Sequence, residues 1–124
     1  MIKKIATDKA PSAIGPYSQA VAVGNMLYTS GQIAINPASG NVEAQDIVGQ
    51  TEQVMKNLGA VLEAAGTSFE NAVKTTCFLA DIKDFAAFNE IYGKYFTSKP
   101  ARSCVAVRDL PKGVLVEVEV IAVI

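Results

Sequence analysis

The sequence predicts an α+β sandwich, a mixed β-sheet with two α-helices packed on one of its faces. Three observations carry that expectation. Strand-like and helix-like stretches follow in the order ββ, β, α, β, α, β, β, a mixture typical of this class rather than of a repeated β-α unit. The run from Asp46 to Ala65 places Ile47, Val54, Met55, Leu58, Val61, Leu62 and Ala65 at spacings of three and four, with Asp46 as cap and Gly66 just past the end. Side chains alternate between faces in an extended chain, so Val114, Val116, Val118, Val120, Ala122 and Ile124 form one unbroken apolar face at the C-terminus.

The remaining elements are read in chain order. Ile2 to Ala6 is a short first strand, and Ala10 to Gln19 is a Pro/Gly/Ser loop placed to reach over a site. AVAV, the Gly24-Asn25 pair and MLYTSGQI make a hairpin, because a two-residue Gly-Asn connection suits the primed turns that match strand twist. Asn36 to Asn41 is another turn. Val73 to Ala80 has the β-branched and aromatic content of a strand, and a second helix runs from about Asp84 to Phe96 with Phe85, Phe88, Tyr92, Tyr95 and Phe96 as its stripe. Asn89 falls inside that stripe and needs hydrogen-bond partners, supplied by a cap, a strand end or a substrate.

A chain of 124 residues, half of them apolar, is expected to form one domain over 1–124 with a sizeable core. With 11 basic and 12 acidic side chains and no basic run, nothing points to a dedicated nucleic-acid or anionic-membrane surface. The N-terminal stretch has no apolar core of signal-peptide length and no segment approaches a membrane span, so a cytoplasmic protein is expected. Two cysteines, Cys77 and Cys104, are too few for a disulfide framework and are expected as reduced thiols. The absence of histidine removes His-based triads and imidazole metal sites, leaving carboxylates, Arg, Lys, Tyr, Cys, hydroxyls and backbone groups for any chemistry.

The segment Pro100 to Ile124 is where function is expected. Arg102, Cys104 and Ala106 share one face of its first strand. In the second, Leu115, Glu117, Glu119, Ile121 and Val123 share the face opposite the valines, so two carboxylates lie among aliphatics. A buried carboxylate is costly unless paired. Either the middle of this strand is exposed and its glutamates pair with lysines, or a pocket holds a cation and an anion together. With the two strands as antiparallel neighbours, Arg102 and the carboxylates line one cleft from opposite sides. Because two helices cover only one face and the last strand is apolar on both, a homo-oligomer packed through the other face is expected.

Six motifs in order then resemble one family over essentially the whole chain: IGPYSQA from Ile14, SGQI from Ser30, Gln50-Thr51, DFAAFN ending at Asn89, PARSCV from Pro100, and LPKG followed by VEVEVIAV. They resemble the reactive intermediate deaminases of the RidA or YjgF type. The resemblance implies a chorismate-mutase-like fold, a homotrimer with inward-facing sheets, and sites in the clefts between subunits. It also implies cofactor-free hydrolysis of enamine and imine acids such as 2-aminoacrylate and 2-iminopropanoate to 2-oxo acids and ammonia, the 2-iminobutanoate/2-iminopropanoate deaminase reaction. On the same ground Arg102 binds the substrate carboxylate, Glu117 holds the attacking water, and Tyr17, Ser30, Gly31, Asn89 and Cys104 line the pocket.

Such chemistry is within reach of these side chains. A protonated imine already has an electrophilic carbon, so the protein has only to anchor a carboxylate, place a water and move one or two protons. Arg102 offers a planar fork for the carboxylate. An imine hydrolyses without a protein nucleophile, which makes Cys104 a wall thiol ahead of a covalent catalyst. The rival reading is a binding module that captures 2-oxo acids through Arg102 without turning them over. A third, a ribonuclease or translation inhibitor, fits poorly with near-neutral charge, since phosphate contacts dominate such affinity.

Overall fold

The computed structural model describes residues 1–124. Its eight strands are β1 (Ile2–Ile5), β2 (Ala20–Val23), β3 (Met26–Thr29), β4 (Ile35–Asn36), β5 (Asn41–Val42), β6 (Ala72–Leu79), β7 (Ala101–Ala106) and β8 (Val116–Val123), with helices α1 (Ile47–Ala64) and α2 (Phe85–Tyr95). Six of the strands form one sheet in the order β1-β2-β3-β8-β6-β7, and β4-β5 is a separate small hairpin. The mixed α+β sandwich expected from sequence is the fold observed. No helix is long and apolar enough to cross a membrane.

Local signals account for most boundaries. Asp46 caps α1, its side chain accepting from Gly49 N at 2.9 Å, and the helix ends where Gly66 turns left-handed at φ 83. Gly24, at φ 59, makes the β2–β3 turn. In α2, Phe88 and Tyr92 are buried as expected, as is Phe96 at its C-cap, and Tyr95 is half-buried. Phe85 departs from the expected stripe, standing at the exposed start of the helix, and Ile91 is buried instead.

The core lies between the helices and one face of the sheet. Val116, Val118, Val120 and Ala122 of β8 are buried against Val54, Met55, Leu58, Val61 and Leu62 of α1. The other face has no helix. There Glu117, Glu119, Ile121 and Val123 are half-exposed, and Tyr28 and Val105 are exposed.

One expectation about the sheet is overturned. β7 and β8 are not neighbours: β7 pairs in parallel with β6, and β8 pairs antiparallel with β6 and β3. The chain between β6 and β7 contains α2, and such a crossover returns a strand parallel to the one it left, whereas the loop after β7 carries the chain past β6. This single difference decides the layout of the site.

Candidate functional site

The pairing register assigns the candidate residues of β7 and β8 to a face. Thr75 of β6 pairs with Arg102 and Cys77 with Cys104, and both β6 residues are buried beneath the helices. Arg102 and Cys104 therefore face α2. Phe78 pairs with Glu117 and Thr76 with Glu119, so the two carboxylates lie on the helix-free face. Arg102 and Glu117 do not share a cleft within one chain, contrary to the antiparallel arrangement expected above.

On the helix side, Arg102 is held from three directions. Its Nη1 donates to Asn89 Oδ1 at 2.6 Å, and its Cζ lies 4.8 Å from the centroid of the Tyr92 ring and 5.4 Å from that of Phe85. Asn89 thus turns its amide neither to a cap nor to a strand backbone but to the arginine. The Tyr92 hydroxyl is in turn bonded to Thr75 Oγ1 at 2.7 Å in the buried layer. No carboxylate pairs with the guanidinium, the ion pairs of the chain being Lys83–Asp81 and Arg108–Asp109. Asn89, Tyr92, Phe96, Pro100 and Arg102 line an open depression of about 360 Å³.

Cys104 stands two residues along from Arg102. Burial raises its thiol pKa above the ordinary value, with Arg102 pulling the other way, and burial pushes that of Cys77 up to about 12. Both thiols are free and mostly protonated near neutrality, which suits a wall better than a nucleophile.

On the opposite face a cavity of about 470 Å³ gathers Tyr17, Ser30, Gly31 and Glu117, walled by Ile14, Ile33, Ile35 and Pro111 with Lys112 at its edge. The carboxyl of Glu117 lies against Gly31: a Cβ there would overlap the carboxylate oxygen and come within 2.8 Å of Cδ. Only a residue without a side chain allows that approach. Burial, and then the charge of Glu119, raises the Glu117 pKa. Neither glutamate is paired with a lysine.

Buried amides hold the walls of this cavity. Gln19 Nε2 donates to the carbonyls of Thr7 and Pro11 at 3.0 and 2.8 Å while its Oε1 accepts from Thr7 N, pinning the Pro/Gly/Ser loop. Asn57 Nδ2, on α1, donates to the carbonyls of Ile33 and Ile35 at 3.0 and 2.9 Å. Ser30 Oγ donates to Ser18 O at 2.6 Å, and Gln32 bridges to Val118 of β8. Sequence reasoning missed Gln19, Asn57, Thr75 and the packing of Tyr92 on Arg102. A polar residue inside the apolar stripe of α1 was the available signal for Asn57.

An arginine without an ion-pair partner on one face of the sheet and a half-buried carboxylate on the other are the candidate site groups of this small α+β chain. The family model described as Endoribonuclease L-PSP matches residues 7–124. A mouse protein named 2-iminobutanoate/2-iminopropanoate deaminase is 52% identical over 122 residues, covering 98% of this chain and 90% of its own. Among solved structures, a Yersinia pestis member of the conserved Rid protein family superposes with a TM-score of 0.97 at 52% identity, covering 100% of both chains. Escherichia coli TdcF, solved with bound serine, superposes at 0.93 with 44% identity over 98% of each chain. The chain belongs to this Endoribonuclease L-PSP (RidA/YjgF) family.

Proposed function

We propose that the protein hydrolyses reactive enamine and imine acids of the 2-aminoacrylate/2-iminopropanoate type to 2-oxo acids and ammonia, in sites completed between the subunits of a homotrimer. The observation that carries this reading is a half-buried arginine with no counter-ion, held by Asn89 and two aromatic rings with most of its N–H groups unused within the chain. Such a group is built for a planar anion from outside the protomer. Glu117, the carboxylate assigned to the water in this reading, lies on the other face, so a second copy would bring it. The apolar helix-free face gives that copy a surface to pack on.

In the completed site Arg102 fixes the substrate carboxylate and Glu117 of the partner subunit holds a water near C2. The water oxygen bonds to C2 as the C=N π pair moves to nitrogen, and the carboxylate takes the water proton. The same carboxyl then protonates the nitrogen, ammonia leaves, and the regenerated carboxylate takes the hydroxyl proton as the oxo group forms. Its raised pKa suits both halves of that exchange. Cys104, Ser30, Gly31 and Tyr17 shape the pocket. The deaminase name of the mouse relative supports the reaction class. The endoribonuclease description of the family model finds no basic stripe here, at a net charge of −1.

The test generates 2-aminoacrylate in situ with an amino-acid-consuming enzyme and follows 2-oxo acid release with and without the protein. Acceleration is expected, with Glu117→Gln slower by roughly 10²-fold, the scale for losing a positioned acid-base group. A wild-type protein that binds pyruvate but never accelerates hydrolysis is a carboxylate-binding module and ends the enzymatic reading.

A further inference from the structure

We infer that Tyr92, seated by Thr75, is a positioning residue that sets the plane of the Arg102 guanidinium, with Phe85 as a second ring beside it; the inference rests on the carboxylate-anchor role proposed for Arg102. A long arginine side chain at a half-exposed strand position samples many rotamers, and each one other than the binding geometry weakens capture of a planar anion. In this chain those rotamers are removed in three ways. The Tyr92 ring lies 4.8 Å from Cζ and that of Phe85 lies 5.4 Å away, so the weakly hydrated guanidinium rests on aromatic surface. Asn89 Oδ1 takes one Nη1 proton at 2.6 Å, which sets rotation within the plane.

The third element is the seat of the ring itself. Tyr92 is buried, stacked on Phe96 with centroids 4.6 Å apart, and its hydroxyl is tied at 2.7 Å to Thr75, the residue whose register partner is Arg102. The β6 residue paired with the arginine and the helix residue that supports it are thus joined by one buried hydroxyl pair. A bond of this kind transmits the geometry of β6 to the plane of the guanidinium without touching the ligand. It also explains why a tyrosine with a half-polar edge stands in the aromatic layer of α2: a phenylalanine would fill the volume and leave the Thr75 hydroxyl without that partner.

Two readouts test this, and only one depends on turnover. In the imine assay, Tyr92→Leu is expected to raise KM roughly tenfold with kcat within about twofold, the range of a partly desolvated cation–π contact. Tyr92→Phe, which keeps the ring but loses its tie to Thr75, should recover part of that loss. Phe85→Ala, at an exposed position where folding is not at risk, should raise KM in the same direction by a smaller factor. Independently, NMR of the Arg102 side chain should show ring-current-shifted Nε–H and Nη–H signals with slow rotation about Cζ–Nη in the wild type. Tyr92→Leu should lose the shift and speed the rotation. If KM and the arginine signals stay at wild-type values in Tyr92→Leu and Phe85→Ala while only the melting temperature falls, Tyr92 is a core residue and the inference fails. If the wild type hydrolyses no imine yet the arginine signals respond as described, the positioning stands and the proposed reaction is what fails.

Discussion

Arg102 and Glu117 stand on opposite faces of one sheet, on strands that both pair with β6 and not with each other. If a site needs both, two chains have to supply them. Mixing therefore gives a decisive experiment. Arg102→Ala and Glu117→Gln should each be nearly inactive alone, and co-assembled from denatured or co-expressed chains they should regain activity, because roughly a quarter of the interfaces in random hybrids would carry both native groups. Mixed chains as inactive as their parents would place the site within one protomer. Sedimentation at micromolar concentration should show a trimer, and Val105→Glu on the exposed face should dissociate it and abolish activity together.

Arg102→Lys keeps the charge and discards the planar fork. The expected loss in kcat/KM is roughly 10- to 100-fold, the scale of a charged hydrogen bond, with the melting temperature little changed. Near-normal kinetics would move the carboxylate anchor to another residue.

Gly31→Ala tests the close approach of backbone and carboxyl. The new Cβ would occupy the space of the Glu117 carboxylate, so the side chain has to swing away although the strands keep their register. Turnover should fall about tenfold or more, as misplacement of a reacting group by an ångström commonly costs, while circular dichroism and assembly stay as in the wild type. Full activity in this variant would mean that the Glu117 position seen here is not the working one.

Glu119→Gln separates the two carboxylates by pH. Burial first and the Glu119 charge second raise the pKa of Glu117, so removing that charge lowers it. In the proposed reaction the base form of Glu117 accepts the water proton, so activity is expected to rise with pH through this pKa. Glu119→Gln should therefore shift the acidic limb of the pH–rate profile to lower pH and leave the plateau nearly unchanged. A shift in the opposite direction, or a collapsed plateau, would show that Glu119 has a part in the reaction.

By itself the sequence determined the two helices, the longer strands and most of their buried faces. The spacing in α1, its Asp46 cap and the left-handed Gly66 are local, and so is the alternation that turns Val116, Val118 and Val120 inward and Glu117 and Glu119 outward. The same alternation correctly put Arg102 and Cys104 on one side of β7. What local periodicity does not contain is which strand lies beside which, since pairing joins residues far apart in the chain and its register is set by packing and loop reach. Only the tertiary structure placed β6 between β7 and β8, turned Arg102 toward α2, and gave the Asn89 amide an arginine as its partner. A two-residue period tells which neighbours share a face within a strand; which face of the sheet that becomes is decided by the helices that cover one side and leave the other bare.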